Sequence, residues 1–589
     1  MRFNVNLSKK NSENHYLPGQ EIRISQGILS KKSATSENDN ISICHSRINF
    51  SLLVFIILYS FLAIKVSYVC LKDGIKIDTA IAEKISDNEN SMELTNPVKR
   101  ADILDRNGEI IATSLPTVNL YTNPRQIKEP EEVAAQLNNI FPELDYEQLK
   151  AKLSSRKRFV YIKRNLSPAQ QAEVNTLGIP MLEFEEGEKR IYPHNNLFSH
   201  ILGHTNIDNK GIAGLEKFLD DRLTGSTKAV QLSVDIGVQN TIREELISGV
   251  AKYKANRASA ILMDVTNGNI IALTSYPDYD PNASINANSE EAFNFATNGI
   301  YEAGSVFKVF NTALCLDSGK ISITEKFDTS KPIYFGRHSV KDPHGSRKKL
   351  TPEDILVESS NIGSTLEILK VGKEIQRSFL QKINMNKALS NFELSEKATP
   401  LFLDEKRWSD HLMATVSYGY GISATPLHII TAFSSIINGG NYYNPTLISD
   451  NHTSPTRVIS EQTSKKMRKM LRAVVERGTA KQANIAGYEV MGKTGSANKI
   501  VNGRYDNKQA FSTFISGFPA SNPKYALLIV LDNPQGIKET HGFTTAGWNA
   551  VPIAGNIISS VAPQLNIKAD FDLETQKNIV NAAYQNINY

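Results

Sequence analysis

Cysteine is scarce in this chain, with three among 589 residues. Cys44, Cys70 and Cys315 are scattered and odd in number, which excludes a disulfide framework and a zinc-binding pattern. Cys315 lies on an apolar segment and is predicted to be a small core residue. The sequence also contains no P-loop, no dinucleotide-binding motif and no internal repeat, so nucleotide-dependent and solenoid proteins are not indicated.

The sequence also lacks a large excess of either positive or negative residues. Lysine and arginine number 66 and the acidic residues 61, so the net charge of +5 is small for this length. This balance does not indicate nucleic-acid binding, although it is compatible with an anionic envelope surface. The length predicts about three or four structural units.

Long apolar runs are limited to one segment near the N-terminus. Residues 48–64, INFSLLVFIILYSFLAI, carry no charge, and KVSYVCL extends the run to Leu71. As a helix, this run is long enough to cross a bilayer of about 30 Å. The small-residue cleavage site of a signal peptide does not follow it. We therefore predict a single transmembrane helix over residues 48–71.

The residues before this helix predict its orientation. Residues 1–47 are rich in Ser, Asn and Lys and carry several basic residues. We expect them to form a disordered cytoplasmic tail, because positive residues favour the cytoplasmic side. The rest of the chain is then expected outside the membrane, in the periplasm if there are two membranes.

The outer part divides into two regions by sequence pattern. In residues 72–230, DILDRNGEIIATS predicts two strands around a turn at Asn107–Gly108, and EPEEVAAQLNNIF predicts a helix. No catalytic constellation occurs there, which favours a structural domain. Residues 231–563 begin and end with strands and are helical in between, which predicts one α/β domain with a mainly antiparallel sheet. Residues 564–589 are expected to form a tail.

The stretch YEAGSVFKVFNTALCLDSG places a serine and a lysine three positions apart at the start of an apolar helix. Ser305 and Lys308 then share one helix face and can touch. A neutral lysine amine can remove the serine's proton and make its oxygen nucleophilic. About three Ser-x-x-Lys matches are expected by chance in a chain of this length, so this motif alone does not identify a catalytic site.

Two further motifs make the pattern specific. The motif SSN contains Ser359 and Asn361, and Ser359 follows Ser305 by 54 residues. The motif lies at the end of a helix that is predicted to start at Thr351. Lys493, in KTG, follows 134 residues after Ser359 on a predicted strand. Together, in this order and on these elements, the three motifs predict a serine acyl-transfer site.

Each residue type suits that chemistry. Ser305 lies at a helix N-terminus, which favours developing negative charge. Lys493 and partial burial are expected to lower the pKa of Lys308, so that Lys308 can act as a base. Ser359 can relay a proton to a leaving amine, and Asn361 can hold a substrate amide.

The strand residues suit substrate binding. Thr494 and Ser496 offer hydroxyls to a carboxylate beside Lys493, and Gly495 is expected to let a substrate backbone lie close to the strand edge. The backbone N–H groups of Ser305 and Ser496 are expected to form an oxyanion hole.

With these motifs the chain resembles the class B penicillin-binding proteins, the serine D,D-transpeptidases of peptidoglycan synthesis. The resemblance also includes RADILDRNGEIIA, RIYPHNNLFSHILGHTNIDNKGIAGLEKFLDDRLTG, MDVTNGNIIALTSYPDYDPN, GYGISATPLHIITAFSSIINGG and ERGTAKQANIAGYEVMGKTGSA. The second of these segments is closer to the division-specific branch than to the elongation branch. Ala303 and Ser496 stand where the family usually has proline and threonine, and both replacements keep the chemistry.

The resemblance implies an α/β fold with a single N-terminal transmembrane helix, an α+β pedestal or dimerisation-like domain over 72–230, and a transpeptidase domain over 231–563. It implies that Ser305 attacks a stem peptide ending in D-Ala-D-Ala and that a neighbouring amine resolves the acyl-enzyme during septal wall synthesis. The resemblance also implies a related carboxypeptidase activity. β-Lactams are expected to acylate the same serine, and no metal or cofactor is required.

The implied partners are a polytopic lipid II polymerase and other division proteins, with no nucleic acid. The pedestal segments RIYPHNNLF and GIAGLEKF, the latter containing Glu216, are candidate contacts for such a partner. Glu216 either makes that contact or pairs within the pedestal.

Other classes of protein fit less well. A serine β-lactamase shares the motifs but would be a soluble single domain, and a bifunctional synthase needs a further glycosyltransferase domain. A membrane β-lactam sensor would have several spans. An elongation-specific transpeptidase and a division scaffold with a vestigial site are the remaining alternatives, and the complete set of site residues argues against the scaffold.

Overall fold

The computed structural model describes residues 53–63, 65, 100–342, 348–451 and 453–571. The chain divides into two compact units, residues 1–94 and 95–589. In the first unit, residues 53–63 are helical with exposed side chains. No helix in the described part of the chain is long and apolar enough to cross a bilayer. The predicted tail 1–47 and most of the predicted span 48–71 lie outside the described residues, so both stay predictions.

The second unit begins with a five-stranded sheet in the predicted pedestal. Its strands are β1 (Ile103–Leu104), β2 (Ile110–Thr122), β3 (Val160–Leu166), β4 (Leu182–Ile191) and β5 (Val230–Gln231). Their order is β3-β2-β1-β5, and β4 also pairs with β2. β1 and β2 are antiparallel around the predicted turn, where Gly108 has a φ of 88°. A positive φ suits glycine because it has no Cβ.

Helices of the pedestal enclose a small core of their own. The helix predicted from EPEEVAAQLNNIF lies at Pro130–Ile140, with Glu131 and Glu132 in its first turn. Its Leu137 packs with Leu120 of β2 in a hydrophobic cluster that is separate from the main core. The other pedestal helices are Tyr146–Leu153, Pro168–Thr176, Ser199–Leu202, Gly214–Phe218 and Asp220–Leu223.

Glu216 is an internal residue of the pedestal. Its side chain is 0% exposed. Its Oε2 accepts a hydrogen bond from Arg100 Nε at 2.7 Å, and its Oε1 accepts one from Arg190 Nε at 2.6 Å. The alternative in which Glu216 contacts a partner protein is therefore wrong, because both carboxylate oxygens are used inside the domain.

An antiparallel sheet organises the transpeptidase region, as predicted. The strands there are β6 (Arg257–Asp264), β7 (Ile270–Tyr276), β8 (Phe327–Asp328), β9 (Ile333–Phe335), β10 (His338–Val340), β11 (Lys349–Leu350), β12 (Asn441–Tyr442), β13 (Thr456–Arg457), β14 (Met491–Val501), β15 (Arg504–Phe518) and β16 (Tyr525–Asp532). The main sheet has the order β14-β15-β16-β6-β7. Because β16 pairs with β6, strands from the two ends of the region join in one sheet and make it one domain.

The helical stretch between the strands is also confirmed. One of its helices, Pro426–Ile437, is buried along its whole length and packs on β6 and β16. Two outer helices, Ile236–Tyr253 and Ala550–Gln564, pack against each other. The remaining helices are Phe295–Asn298, Phe307–Asp317, Pro352–Glu358, Asn361–Val371, Lys373–Lys382, Asp410–Ser417 and Glu461–Arg477.

Contacts cross both predicted ends of the transpeptidase region. The predicted boundary at 230/231 falls inside β5, which pairs with β1 of the pedestal. Residues 565–570, predicted to belong to the tail, still contact the domain: Leu565 is buried and Asp570 N donates to Gly487 O at 2.9 Å. Residues 572–589 lie outside the described part of the chain.

Candidate active site

The serine of the first motif sits on a tight turn before a helix. Ser305 lies in the 3-10 turn Gly304–Val306, which leads directly into the helix Phe307–Asp317, called here the nucleophile helix. Gly304 has a φ of 54°, and a Cβ there would lie 2.8 Å from Ser496 O. Glycine at this position lets the turn approach the strand that carries the third motif.

Lys308 is the centre of the site's hydrogen-bond network. It is 0% exposed, and its Nζ lies 2.7 Å from Ser305 Oγ and 2.7 Å from Asn361 Oδ1. The same nitrogen lies 2.9 Å from Ser359 O and 3.2 Å from Ser359 Oγ. The amine is therefore within proton-transfer distance of both motif serines.

Ser359 connects the two lysines. Its Oγ lies 3.2 Å from Lys308 Nζ and accepts a hydrogen bond from Lys493 Nζ at 3.1 Å. The residue terminates the helix Pro352–Glu358 in the left-handed region, with a φ of 59°. A non-glycine residue in this region is uncommon and carries backbone strain of about 1 kcal/mol or more. The turn directs the Ser359 hydroxyl between the amines.

Asn361 begins the helix Asn361–Val371, called here the asparagine helix. Its Nδ2 donates to Lys341 O at 3.2 Å, and this bond leaves Oδ1 for Lys308. Asp342 Oδ1 accepts hydrogen bonds from the backbone N–H groups of Asn361 at 2.6 Å and Ile362 at 3.0 Å. Sequence reasoning missed Lys341 and Asp342, because a lysine and an aspartate in a polar loop carry no signal of this contact.

Strand β14 brings the third motif to the same place. Lys493 is 0% exposed and also donates to Thr494 O at 3.1 Å. Thr494 Oγ1 lies 2.5 Å from Thr479 Oγ1. Ser496 Oγ accepts a hydrogen bond from Ala546 N at 3.1 Å, which leaves its own proton free for a ligand.

Gly495 packs closely against the turn that carries Ser305. A Cβ at this position would lie 2.3 Å from Ala303 O and 2.9 Å from Val306 Cγ2. The glycine is needed because β14 packs against the nucleophile turn. The expectation that Gly495 also lets a substrate backbone lie close to the strand edge stays a prediction.

Burial sets the protonation of both lysines. Desolvation, and secondarily the charge of Lys493, holds the pKa of Lys308 well below its ordinary value. Burial also lowers the pKa of Lys493 to about 7. Both shifts favour the neutral amine, which is the direction expected from the sequence. Among the described residues, no group of three or more His, Cys, Asp or Glu side chains is arranged to hold a metal ion.

Comparison with known families matches both parts of the second unit. Residues 258–559 match the penicillin-binding protein transpeptidase domain, and residues 95–251 match the penicillin-binding protein dimerisation domain.

Named relatives match most of the chain. The probable peptidoglycan D,D-transpeptidase FtsI of Caulobacter vibrioides is 33% identical over 496 residues, which cover 81% of this chain and 83% of the relative. Peptidoglycan D,D-transpeptidase FtsI of Escherichia coli is 29% identical and covers 80% of this chain and 84% of its own length.

A solved structure supports the fold. Penicillin-binding protein 3 of Mycobacterium tuberculosis, complexed with aztreonam, aligns with a TM-score of 0.64 at 23% identity. The alignment covers 81% of this chain and 98% of that chain. From the two domain matches and the 33% identical relative, the chain belongs to the FtsI-like class B penicillin-binding proteins.

Proposed function

We propose that this protein is a serine peptidoglycan D,D-transpeptidase that cross-links stem peptides during septal wall synthesis in cell division. The observation that carries this proposal is the 2.7 Å contact between Ser305 Oγ and a buried lysine amine whose pKa is lowered. A vestigial scaffold has no need to maintain such a contact.

Acylation begins at Ser305. Its Oγ attacks the carbonyl carbon of the penultimate D-alanine, and the hydroxyl proton passes to Lys308 Nζ. The tetrahedral intermediate then collapses and the bond to the terminal D-alanine nitrogen breaks. Ser359, which touches Lys308 and Lys493, relays a proton to that nitrogen, so D-alanine leaves as a neutral amine.

Deacylation reverses these roles. A side-chain amine of a neighbouring stem peptide attacks the ester carbonyl and loses a proton to the Lys308–Ser359 network. The ester bond breaks, Ser305 recovers its proton, and the new amide is the cross-link. Attack by water instead would give carboxypeptidase hydrolysis.

Strand β14 supplies the substrate contacts. Ser496 Oγ has a free proton, and Thr494 follows Lys493 on the strand. These groups suit the terminal carboxylate of a stem peptide or of a β-lactam. The backbone N–H groups of Ser305 and Ser496 are proposed to bind the oxyanion.

The septal role follows from the relatives named FtsI, and an elongation role is not favoured. We further propose that residues 48–71 anchor the protein in the inner membrane, with the N-terminus in the cytoplasm and the catalytic domain in the periplasm. A polytopic lipid II polymerase and other division proteins are the proposed partners. A tethered polymerase would keep nascent glycan strands at a high effective concentration near Ser305.

The test of catalysis is the variant Ser305→Ala. It should keep the melting temperature of the wild type and lose covalent labelling by a fluorescent penicillin, because only one hydroxyl is removed. An acyl adduct on the folded variant in intact-mass spectrometry would overturn the proposal.

The test of anchoring is the deletion of residues 1–71. The shortened protein should be soluble without detergent and should still react with penicillin, since every site residue is retained. If the shortened protein still sediments with membranes, the proposed anchor is wrong.

A further inference from the structure

Glu367 is a buried acidic residue for which the proposed reaction has no use. It lies on the asparagine helix and is 0% exposed. Its Oε2 accepts hydrogen bonds from Asn311 Nδ2 at 3.1 Å and from Thr312 Oγ1 at 2.9 Å, both on the nucleophile helix. Asn311 and Thr312 lie one turn after Lys308 and share its helix face.

The two helices are therefore joined at two levels. At the first level, Lys308 Nζ contacts Asn361 Oδ1 at 2.7 Å. At the second, Asn311 and Thr312 contact Glu367, and Asn311 Nδ2 also donates to Ser364 O at 3.1 Å. The second level fixes how the asparagine helix lies against the nucleophile helix, and so fixes the position of Asn361 relative to Lys308.

The unused polar atoms of this cluster indicate that Glu367 carries a proton. Glu367 Oε1, Asn311 Oδ1 and Ser364 Oγ are buried and have no hydrogen-bond partner among the described residues. An ionised carboxylate only accepts hydrogen bonds, so it would leave a charged oxygen without a donor. A protonated carboxyl removes that buried, unpaired negative charge.

We propose that Glu367 is a positioning residue for acylation. As an uncharged carboxyl, it holds the nucleophile helix against the asparagine helix without placing a negative charge behind Lys308. This inference rests on the proposed roles of Ser305 and Lys308.

The electrostatics around the carboxyl agree with this protonation state. Burial raises the pKa of Glu367 to about 8, although hydrogen bonds from Thr312 and Asn311 and the charge of Lys308 act to lower it. The groups that act on Lys308 itself are Lys493, Asp342 and Glu367. Cys315, the other titratable group near Glu367, has its pKa raised well above the ordinary value by burial and is an uncharged thiol. A charged Glu367 would raise the pKa of Lys308 and keep a proton on the base.

The test compares Glu367→Gln with Glu367→Leu in the full-length protein. The readouts are the second-order rate of acylation by a fluorescent penicillin between pH 5 and 9 and the melting temperature. Glutamine keeps the shape and an accepting oxygen but cannot ionise, whereas leucine removes the joint between the helices.

We expect the glutamine variant to acylate at a rate within about twofold of the wild type, with the acidic limb of its pH profile unmoved. The leucine variant should acylate about tenfold more slowly or worse, because Asn361 is displaced from Lys308. A normal acylation rate in the glutamine variant beside a slow one in the leucine variant would show that Glu367 acts by positioning and that its charge is not needed. If the leucine variant does not fold, Thr312→Val removes one donor at nearly constant volume and should slow acylation by a smaller factor.

Two results would overturn the proposal. An acidic limb that moves down by about one pH unit in the glutamine variant would show that Glu367 is charged in the resting enzyme. Wild-type acylation rates in folded leucine and valine variants would show that the joint positions nothing. Failure of the wild type to react with penicillin at all would instead count against the proposed function.

Discussion

Asp342 Oδ1 accepts a hydrogen bond from the backbone N–H of Asn361 at 2.6 Å, and Asp342 Oδ2 accepts one from Ser360 Oγ at the same distance. The carboxylate therefore sits at the N-terminus of the asparagine helix, where negative charge is stabilised. Through this contact, a loop residue without any motif holds the start of the helix that presents Asn361 to Lys308.

Replacement of Asp342 should slow catalysis while the fold survives. We expect Asp342→Ala to acylate about tenfold more slowly, because Asn361 loses the contact that holds its backbone. Asp328→Ala, an exposed aspartate that binds Ser330, is the matched control and should acylate normally. Stopped-flow measurement with a fluorescent penicillin checks both variants. Equal rates for Asp342→Ala and the wild type would show that Asn361 needs no such support.

Replacement of Lys493 by methionine should abolish activity and raise the free energy of unfolding by an amount that depends on pH. The folded-state pKa of Lys493 is about 7, against an ordinary value of 10.5. Between these values the unfolded chain binds more protons, so the buried lysine destabilises the folded state. Lys493→Met should lose acylation. The unfolding free energy of Lys493→Met should exceed that of the wild type. This difference should be largest below pH 7 and should shrink by about 1.4 kcal/mol per pH unit as pH rises towards 10.5.

Denaturant unfolding at pH 6, 8 and 10 measures this difference. A difference between Lys493→Met and the wild type that stays constant over these pH values would contradict the lowered pKa of Lys493.

Gly495→Ala should damage the packing between β14 and the nucleophile turn. The added Cβ would lie 2.3 Å from Ala303 O, which is backbone and cannot move aside without shifting Ser305. We expect both slower acylation and a lower melting temperature. Gly503→Ala is the control, because a Cβ there has nothing within 4 Å and only its φ of 76° is unfavourable. If the two variants lose the same amount of activity, the contact with Ala303 is unimportant.

Glu216→Ala should destabilise the pedestal. It leaves Arg100 and Arg190 buried without the carboxylate that pairs them, a change that typically costs about 3–5 kcal/mol. The melting temperature should fall, whereas the folded fraction should still react with penicillin because the site residues are untouched. Glu186→Ala, an exposed pedestal glutamate, serves as control. An unchanged melting temperature in Glu216→Ala would contradict the structural role of its ion pairs with Arg100 and Arg190.

The three motifs and the elements that carry them could be predicted without the structure. Ser305 and Lys308 are three positions apart on a helix, so their contact follows from local geometry. The helix before Ser359 starts where the sequence predicts, with Thr351 as its N-cap, and the structure adds a capping box between Thr351 and Asp354. The antiparallel sheet could also be predicted, because its long strands are buried apolar runs at the two ends of the domain.

The neighbours of each residue follow from packing and could not be predicted. The burial that lowers the pKa values of Lys308 and Lys493 arises from segments more than a hundred residues apart, and no local pattern reports it. Asp342 and Glu367 looked like ordinary acidic residues in the sequence, and the sequence left the partner of Glu216 open, because packing decides which group a carboxylate meets. A glycine such as Gly495 indicates that another group comes close, and only the folded chain shows that the turn of Ser305 is one such group.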